Sequence, residues 1–351
     1  MEENNFLTSL INVFKGSKRE YTISKKRKVG IFTLTTLLLI WLFFVAATTG
    51  SINVGVKELL DGLFVKRNPN VVAIWDLRFP RILIAIMAGA AISTSGALLQ
   101  AVMKNPLTDP GIIGISSAAN LFVVLISIFL PQYYFSIPFF AVLGGLIAYL
   151  LIYFLAWDSG VNPVKLILVG VALNMTFIGL GEFFKAAGGK SLTKVQSIVD
   201  ANIAQKTWGD VHLLFAFVVV FLIIAFILWK KCNILSLEDR TARSLGVNVD
   251  RDRFIVALVA IILVSISTAI VGVIGFLGLI VPHVAKILVG SNHKIKIPYT
   301  MVLGAFILLL SDTVGRSIFA PYEVSAAIIM AVVGGPFFII LLRRGGDSFG
   351  S

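Results

Sequence analysis

Cysteine, histidine and charged residues are all scarce in this chain of 351 residues. It has one cysteine, Cys232, which excludes an internal disulfide and a metal site built from several cysteines. The three histidines, His212, His283 and His293, have no carboxylate or cysteine at ligand spacing, so we expect no metal site. No combination of nucleophile, base and oxyanion donors can be recognised, and we do not expect this chain to be an enzyme.

A nucleotide-binding motif is also missing. The nearest match to a phosphate-binding loop ends in Gly188 to Ser191, but Phe184 stands where the first glycine is required and no strand precedes it. We therefore expect no cofactor in this chain. A net charge of +12 could indicate nucleic-acid binding, but the distribution of the charge is typical of membrane orientation instead, so no nucleic-acid partner is expected.

Hydrophobic residues make up 58% of the chain, charged residues only 14%, and the mean hydropathy is +0.95. A soluble domain of this size could not have such a composition, so the sequence predicts an all-α polytopic membrane protein. Apolar runs of membrane length predict about ten spans. These are Val29–Thr49, Arg81–Met103, Ile112–Leu130, Pro138–Trp157, Val164–Phe184, His212–Trp229, Phe254–Val273, Phe276–Val289, Pro298–Arg316 and Val324–Leu342.

The seventh and eighth spans are the least regular part of this prediction. Apolar sequence continues from Phe254 to Val289 and is too long for one straight span. We split it in two because glycine and proline offer a break, at Gly272, Gly275, Gly278 and Pro282.

The distribution of basic residues predicts the orientation. With an even number of spans both termini lie on one side, and if that side is cytoplasmic it holds 20 of the 30 Lys and Arg residues. We therefore expect both termini inside. The second to fifth and the seventh to tenth spans then form two opposed four-helix blocks, as inverted repeats would produce.

The N-terminal residues differ in character from the rest. Residues 1–30 are basic and partly amphipathic, which fits either an interfacial helix or a disordered basic tail. The apolar run after them is too long for a secretory signal, so we expect a retained first span. Residues 31–344 form the transmembrane domain, and residues 345–351 a cytoplasmic tail.

The second span has unusual ends. Arg78 and Arg81 flank Pro80, and because proline is favoured in the first turn, the helix is predicted to begin at about Arg78 to Arg81. Lys104 follows the span, and Asn105-Pro106 should stop the helix.

Small and polar side chains run along this span. They would serve close helix packing or line a water-filled path, and the sequence leaves both interpretations open. The small residues recurring every fourth position are Gly89, Ser93, Ala97 and Ala101. The candidate path residues are Ser93, Ser95 and Gln100, with Asn174 from the fifth span.

Two further features lie outside the spans. The loop from Lys230 to Arg253 predicts a short helix from about Leu237 to Leu245, begun by Ser236 and ended by Gly246, as a docking surface or a solvated linker. On the other side lie three arginines, of which Arg316 could pair with Asp312 one helical turn earlier. These arginines would pair internally or form a basic rim that attracts an acidic partner. They are Arg78, Arg81 and Arg316.

Four ordered motifs resemble the iron-siderophore, haem and cobalamin permease family of bacterial ABC importers, which has ten helices. The resemblance covers nearly the whole chain after about Ile31. The motifs are RFPRILIAIMAGAAISTSGALLQAVMKNPLTDPGIIGISSAA, LSLEDRTARSLGVNVDRDR, GFLGLIVPHVAKILVG and PYEVSAAIIMAVVGGPFFIILLRR.

The resemblance implies a permease subunit in a bacterial cell membrane that moves an iron chelate inwards by alternating access. A ferric siderophore is the first expectation, with haem or cobalamin as alternatives, and the metal enters only as part of that ligand. The implied partners are a second permease, identical or paralogous, a cytoplasmic ATPase dimer that consumes the ATP, and an external substrate-binding protein.

The same resemblance implies roles for particular residues. The three arginines look like the docking rim for the binding protein. The residues that resemble the family's cytoplasmic gate are Asn105, Leu107, Pro163 and Val164. One segment resembles the family's coupling helix, which contacts the ATPase. It contains Ser236, Leu237, Glu238, Asp239, Arg240, Arg243, Leu245 and Gly246.

Two other functions fit the sequence less well. A secondary transporter driven by ions needs carboxylates inside the membrane, whereas Glu182 and Asp312 lie towards span ends. An intramembrane enzyme would need a catalytic constellation that the sequence lacks.

Overall fold

The computed structural model describes residues 24–49, 55, 57–58, 61–62, 68–156, 163–188, 203–318 and 322–345, and within these ranges all regular structure is helical. A 3₁₀ helix at Pro131–Ser136 joins the α-helices Ile115–Phe129 and Ile137–Ala156. The α-helices are α1 Lys25–Thr48, α2 Pro69–Met103, α3 Ile115–Phe129, α4 Ile137–Ala156, α5 Pro163–Gly188, α6 Trp208–Ile227, α7 Trp229–Leu235, α8 Asp239–Ser244, α9 Val249–Val271, α10 Leu277–Val289, α11 His293–Ile318 and α12 Ala326–Gly345.

Seven of these helices are long and apolar enough to cross a membrane: α1, α2, α4, α5, α6, α9 and α11. Three shorter apolar helices, α3, α10 and α12, occupy the places of the other predicted spans. The prediction of an all-helical polytopic protein is confirmed, whereas the count of ten full spans is not. Most of the predicted N-terminal segment and of the C-terminal tail lies outside the described residues.

The start of α2 differs from the prediction. The helix begins at Pro69, so Arg78 and Arg81 lie inside it and not at its entrance. Pro69 takes the first helical position, where a missing N–H is harmless, and Pro80 is tolerated inside the helix at the loss of one backbone hydrogen bond. At 35 residues α2 is about 52 Å long, well beyond the ~30 Å hydrocarbon core.

The centre of the molecule is built on α2 and α9. α2 contacts α1, α6, α9, α10 and α11, while α9 also contacts α3, α4 and α6. A Cβ on Gly89 would lie 2.4 Å from the carbonyl oxygen of Gly304, and one on Gly96 would lie 2.0 Å from that of Gly278. Glycine is therefore required where α2 crosses α11 and α10, since any side chain would push the backbones apart.

The break between α9 and α10 is confirmed. It spans Gly272 to Phe276, both of which have positive φ angles, 75° and 65°. Gly278 and Pro282, which were also candidates for the break, lie inside α10. Pro282 is the sixth residue of α10, so it removes one backbone hydrogen bond, the one to the carbonyl of Gly278. That carbonyl lies 3.5 Å from the side-chain nitrogen of Gln100 instead.

The short helix in the loop after α7 is present but shorter than predicted. α8 covers Asp239–Ser244, with Glu238 at its N-cap position. Ser236 does not start it, because its hydroxyl donates to the carbonyl of Cys232 and closes α7 instead. Gly246, at φ 76°, follows the helix end, as the pattern predicted.

Candidate functional site

One end of α2 carries a buried ion pair. The Nε of Arg81 lies 2.9 Å from Asp312 Oδ2 and its Nη2 lies 2.9 Å from Asp312 Oδ1, so the guanidinium grips the carboxylate with two donors. Its Nη1 donates to Glu323 at 2.8 Å. Two-donor geometry of this kind is the strongest form of ion pair, and it fastens α2 to α11 and to the segment before α12.

Arg78 and Arg316 bind the C-terminal end of α1. Arg78 Nη1 donates to the carbonyl of Ala47 at 2.9 Å, and Arg316 Nη2 donates to that of Ala46 at 2.6 Å. A second nitrogen of Arg316 lies 3.4 Å from the carbonyl of Thr49. These carbonyls belong to the last turn of a helix, where they have no helical partner and attract cations.

These contacts correct two expectations. Arg78 is 8% exposed and Arg81 7%, so neither stands out from the surface as a basic rim would. Asp312 pairs with Arg81 of another helix and not with Arg316 one turn away. The structure favours the alternative of internal pairing, and the exposed charged side chain that contacts Arg81 is acidic, namely Glu323.

The other end of α2 meets α8. Lys104 has a positive φ of 51°, which turns the chain at the end of α2, and its ammonium binds the carboxylate of Asp239. Arg253 of α9 donates to the same carboxylate at 3.0 and 3.3 Å. Partial burial works to raise the pKa of Asp239, but the hydrogen bond from Lys104 and the charge of Arg253 outweigh it and hold that pKa below its usual value.

The far end of α8 is also held to α9. Arg243 lies 3.4 Å from Asp250, and Arg253 lies 3.8 Å from the same residue. α8 is thus connected at both ends to helices of the transmembrane domain and does not hang from a free loop. Its outer surface remains available, because Arg240, Thr241, Ser244 and Leu245 are all exposed.

The segment between α2 and α3 is folded back on itself. The side chain of Asn105, which is 1% exposed, accepts from the N–H of Leu107 at 2.9 Å. Asp109 accepts from Gly111 and Ile112 at 2.8 and 3.0 Å, and its other oxygen faces the start of α10. Complete burial raises the pKa of Asp109 to about 6, although four backbone N–H groups act to lower it.

Sequence reasoning missed Asp109. Its signal was present, since an aspartate two residues before a glycine in a loop rich in proline is typical of a side chain that binds its own backbone. The other predicted gate residues, Pro163 and Val164, begin α5, but their side chains lie outside the part that the structure describes.

The four candidate path residues are all buried in contacts between helices. Ser93 Oγ lies 2.2 Å from where a Cβ on Gly304 would be. Ser95 donates to the carbonyl of Ala260 at 2.7 Å, and Gln100 lies 3.5 Å from that of Gly278. Asn174 accepts from the hydroxyl of Ser117. The structure thus favours packing over pathway for these residues within one chain.

Among the described residues, no three side chains of His, Cys, Asp or Glu converge as metal ligands would. What the fold defines is a polytopic α-helical membrane protein.

Comparison with known proteins gives the family. The chain matches the FecCD transport family over residues 37–344 and belongs to it. It is 41% identical over 318 residues to proteins of Staphylococcus aureus strains MSSA476 and Newman that are described as "probable heme-iron transport system permease protein IsdF". Those alignments cover 91% of this chain and 97% of the relatives.

Solved structures agree. A structure described as "an inward-facing conformation of a putative metal-chelate type ABC transporter" is 29% identical, with a TM-score of 0.74 over 90% of this chain and 99% of that one. PsaBC from Streptococcus pneumoniae, at 22% identity and a TM-score of 0.58, supports the fold alone. The chain is a permease of the ABC importers that carry metal chelates or haem iron.

Proposed function

We propose that this protein forms half of the membrane channel of an iron-chelate importer. We further propose that α8 transmits the conformational change of a separate ATPase to the transmembrane helices. The observation that carries this proposal is the seating of α8. Its first residue, Asp239, is bound by Lys104 of α2 and by Arg253 of α9. Because its outer surface is exposed, α8 can sit in a partner while its inner contacts move the transmembrane helices.

A second permease, identical or paralogous, completes the channel. The support comes from α5 and α12. Gly179 of α5 is exposed and Gly335 of α12 is half-buried, and a Cβ at either position would have no neighbour within 4 Å. Small residues on an exposed helix face are what close helix pairing in lipid requires. The path for a bulky chelate then runs between the two copies, which agrees with the burial of the polar residues of α2 inside one chain.

The Arg81 end is the docking face for an external binding protein. In this proposal the three arginines do not reach out to the partner. They hold α1, α2, α11 and the segment before α12 in one arrangement, so that the face keeps a defined shape. The exposed groups that a partner meets include Asp76 and Glu323.

The gate lies at the Lys104 end, which the positive-inside count places in the cytoplasm. Asn105 and Leu107, with Pro163 and Val164, close the path there. Asn105 fixes the turn by accepting from Leu107, and Asp109 fixes the following turn. Movement of α8 reaches this loop through Lys104, the residue directly before Asn105. ATP binding by the partner would thus alternate the access of the cavity.

Haem is the favoured cargo, ahead of the ferric siderophore expected from the sequence. The reason is the 41% identity to proteins described as probable haem-iron permeases. Iron would enter inside its chelator, without coordination by this chain.

The test is uptake into proteoliposomes that contain the permease, its ATPase subunits and its binding protein. We expect ATP-dependent accumulation of haem, with weaker or no accumulation of ferric siderophores. The control carries an ATPase subunit unable to hydrolyse ATP and should show no accumulation. Uptake that persists in this control and disappears with a proton or sodium ionophore would show an ion-coupled transporter instead.

A further inference from the structure

The Lys104 end of the molecule has a second charged cluster, separate from α8. It lies around the turn between α10 and α11 and is entirely basic. Lys28 Nζ lies 3.6 Å from where a Cβ on Gly290 would be, so α1 also reaches the turn. We call this group the turn cluster; its members are Lys28 of α1, Lys230 of α7, Lys286 of α10, and Lys294 and Lys296 of α11.

Lys296 is the unusual member. It is only 5% exposed, and within the described part of the chain its side chain makes no hydrogen bond or ion pair. The ionisable groups that act on it are another cation, Lys286, and the thiol of Cys232. The neighbouring His293, also 5% exposed, already has a hydrogen-bond partner, since its Nδ1 lies 2.9 Å from Asn233 Oδ1. A buried cation without a counter-ion is expensive, so the site is incomplete without an anion.

The depth of the cluster indicates where that anion comes from. Trp229 lies two residues after the end of the spanning helix α6, and tryptophan marks the boundary between hydrocarbon and headgroups. The ammonium groups of Lys230 and Lys294 both lie 5.6 Å from the centre of its ring. The cluster is therefore at the level of the lipid phosphates.

Apolar surface adjoins the cluster on the membrane side. Phe226 and Ile227 at the end of α6 are exposed, as is Val29 directly after Lys28. A ligand here meets cations at one end and apolar side chains at the other. We propose that the turn cluster binds the phosphodiester headgroup of an anionic phospholipid in the cytoplasmic leaflet, with Lys296 as its buried contact. Such lipids are the anions that basic pockets between helices take from that leaflet.

The test measures lipid retention by the full chain in a neutral detergent. Native mass spectrometry would compare phosphatidylglycerol with phosphatidylcholine of the same acyl chains. We expect about tenfold preferential retention of phosphatidylglycerol, equivalent to about 1.4 kcal/mol. Lys296→Met should abolish the preference and leave the unfolding temperature in phosphatidylcholine unchanged or higher, because methionine fills the same space without a buried charge.

A matched control removes one exposed charge from the same end. Arg251→Gln lies on α9, and its side chain is exposed, so this variant should keep the full preference. The proposal is wrong if Lys296→Met retains phosphatidylglycerol as the parent does. It is also wrong if inorganic phosphate at equal concentration displaces the bound phosphatidylglycerol.

Two other occupants give distinct results, and either would overturn the proposal. If carboxylates of the N-terminal segment fill the site, the lipid preference appears only after Glu2, Glu3 and Glu20 are replaced by glutamine. If the ATPase partner fills it, Lys296→Met weakens association with that partner and leaves lipid retention unchanged. The inference does not depend on the cargo, since lipid retention is measured without transport.

Discussion

The two ends of α2 are both held by ion pairs, but of opposite kinds. At one end Arg81 grips Asp312 where both side chains are almost completely buried, 9% and 2% exposed. At the other, Lys104 meets Asp239 with 26% and 41% exposed. A buried pair is strongly disrupted when one partner is lost, whereas a half-exposed pair contributes little and can re-form. The comparison teaches that the Arg81 end is a fixed frame and that the Lys104 end can move.

The largest effect on stability is expected from removing the buried Arg81–Asp312 ion pair. Arg81→Met leaves the Asp312 carboxylate buried without its partner and should destabilise the protein by about 3–5 kcal/mol. The measurement is the unfolding temperature in detergent. Arg81→Met combined with Asp312→Leu should recover much of the loss, because both charges are then gone. If the single variant unfolds like the parent, the Arg81–Asp312 pair does not hold this end of α2 in place.

Sequence reasoning could not supply this pair. Arg81 and Asp312 are separated by 231 residues, and the local pattern favoured Arg316, one turn from Asp312. Local signals did predict the apolar helices, the break at Gly272 and a helix near Asp239, because run length and glycine punctuation act over a few residues. The predicted start of α2 was wrong for the same reason. Pro69 and Pro80 both suit a first turn, and only tertiary contacts show that the helix continues through Pro80.

Asp109 provides the next test, at the Lys104 end. Its pKa is raised from 3.8 to about 6 by burial, so the folded protein binds its proton more tightly than the unfolded chain. Stability from this group is therefore present at low pH and is lost as the pH rises through the window between those two values. The loss amounts to about 3 kcal/mol at neutral pH.

Asp109→Asn removes that titration and keeps an oxygen that can accept from Gly111 and Ile112. We expect the variant to be at least as stable as the parent at pH 7 and to have a flatter dependence of unfolding temperature on pH between about 4 and 7. Taking the difference between the two proteins cancels the titration of all other carboxylates. An identical slope in both would mean that Asp109 is not the group responsible.

The Lys104–Asp239 pair should matter little for stability and much for transport. In a cycle of Lys104→Met, Asp239→Asn and the double variant, the coupling energy in unfolding should be about 0.5–1 kcal/mol. ATP-driven uptake by either single variant should fall about tenfold, with ATP hydrolysis retained, because α8 then moves without carrying α2. Lys185→Met is the control, since Lys185 forms an ion pair with Glu182 on α5, away from α8. Uptake at the parental rate would show that Asp239 does not couple the movement of α8 to α2.

The smallest structural effect belongs to Glu323, which completes the comparison from the exposed side of the frame. Its side chain is 48% exposed while it accepts from Arg81, so Glu323→Gln should change the unfolding free energy by less than about 1 kcal/mol. Arg81 keeps its two-donor contact with Asp312, and the shape of the face is therefore preserved. The informative measurement is the association rate of the binding protein at low and high salt, because exposed charges act on encounter more than on the bound state. If the partner meets the exposed carboxylates, the rate at low salt changes and the difference from the parent fades as salt is added. If the rate is the same at both, the partner reads the shape that the buried arginines maintain, and the charge of the face is secondary.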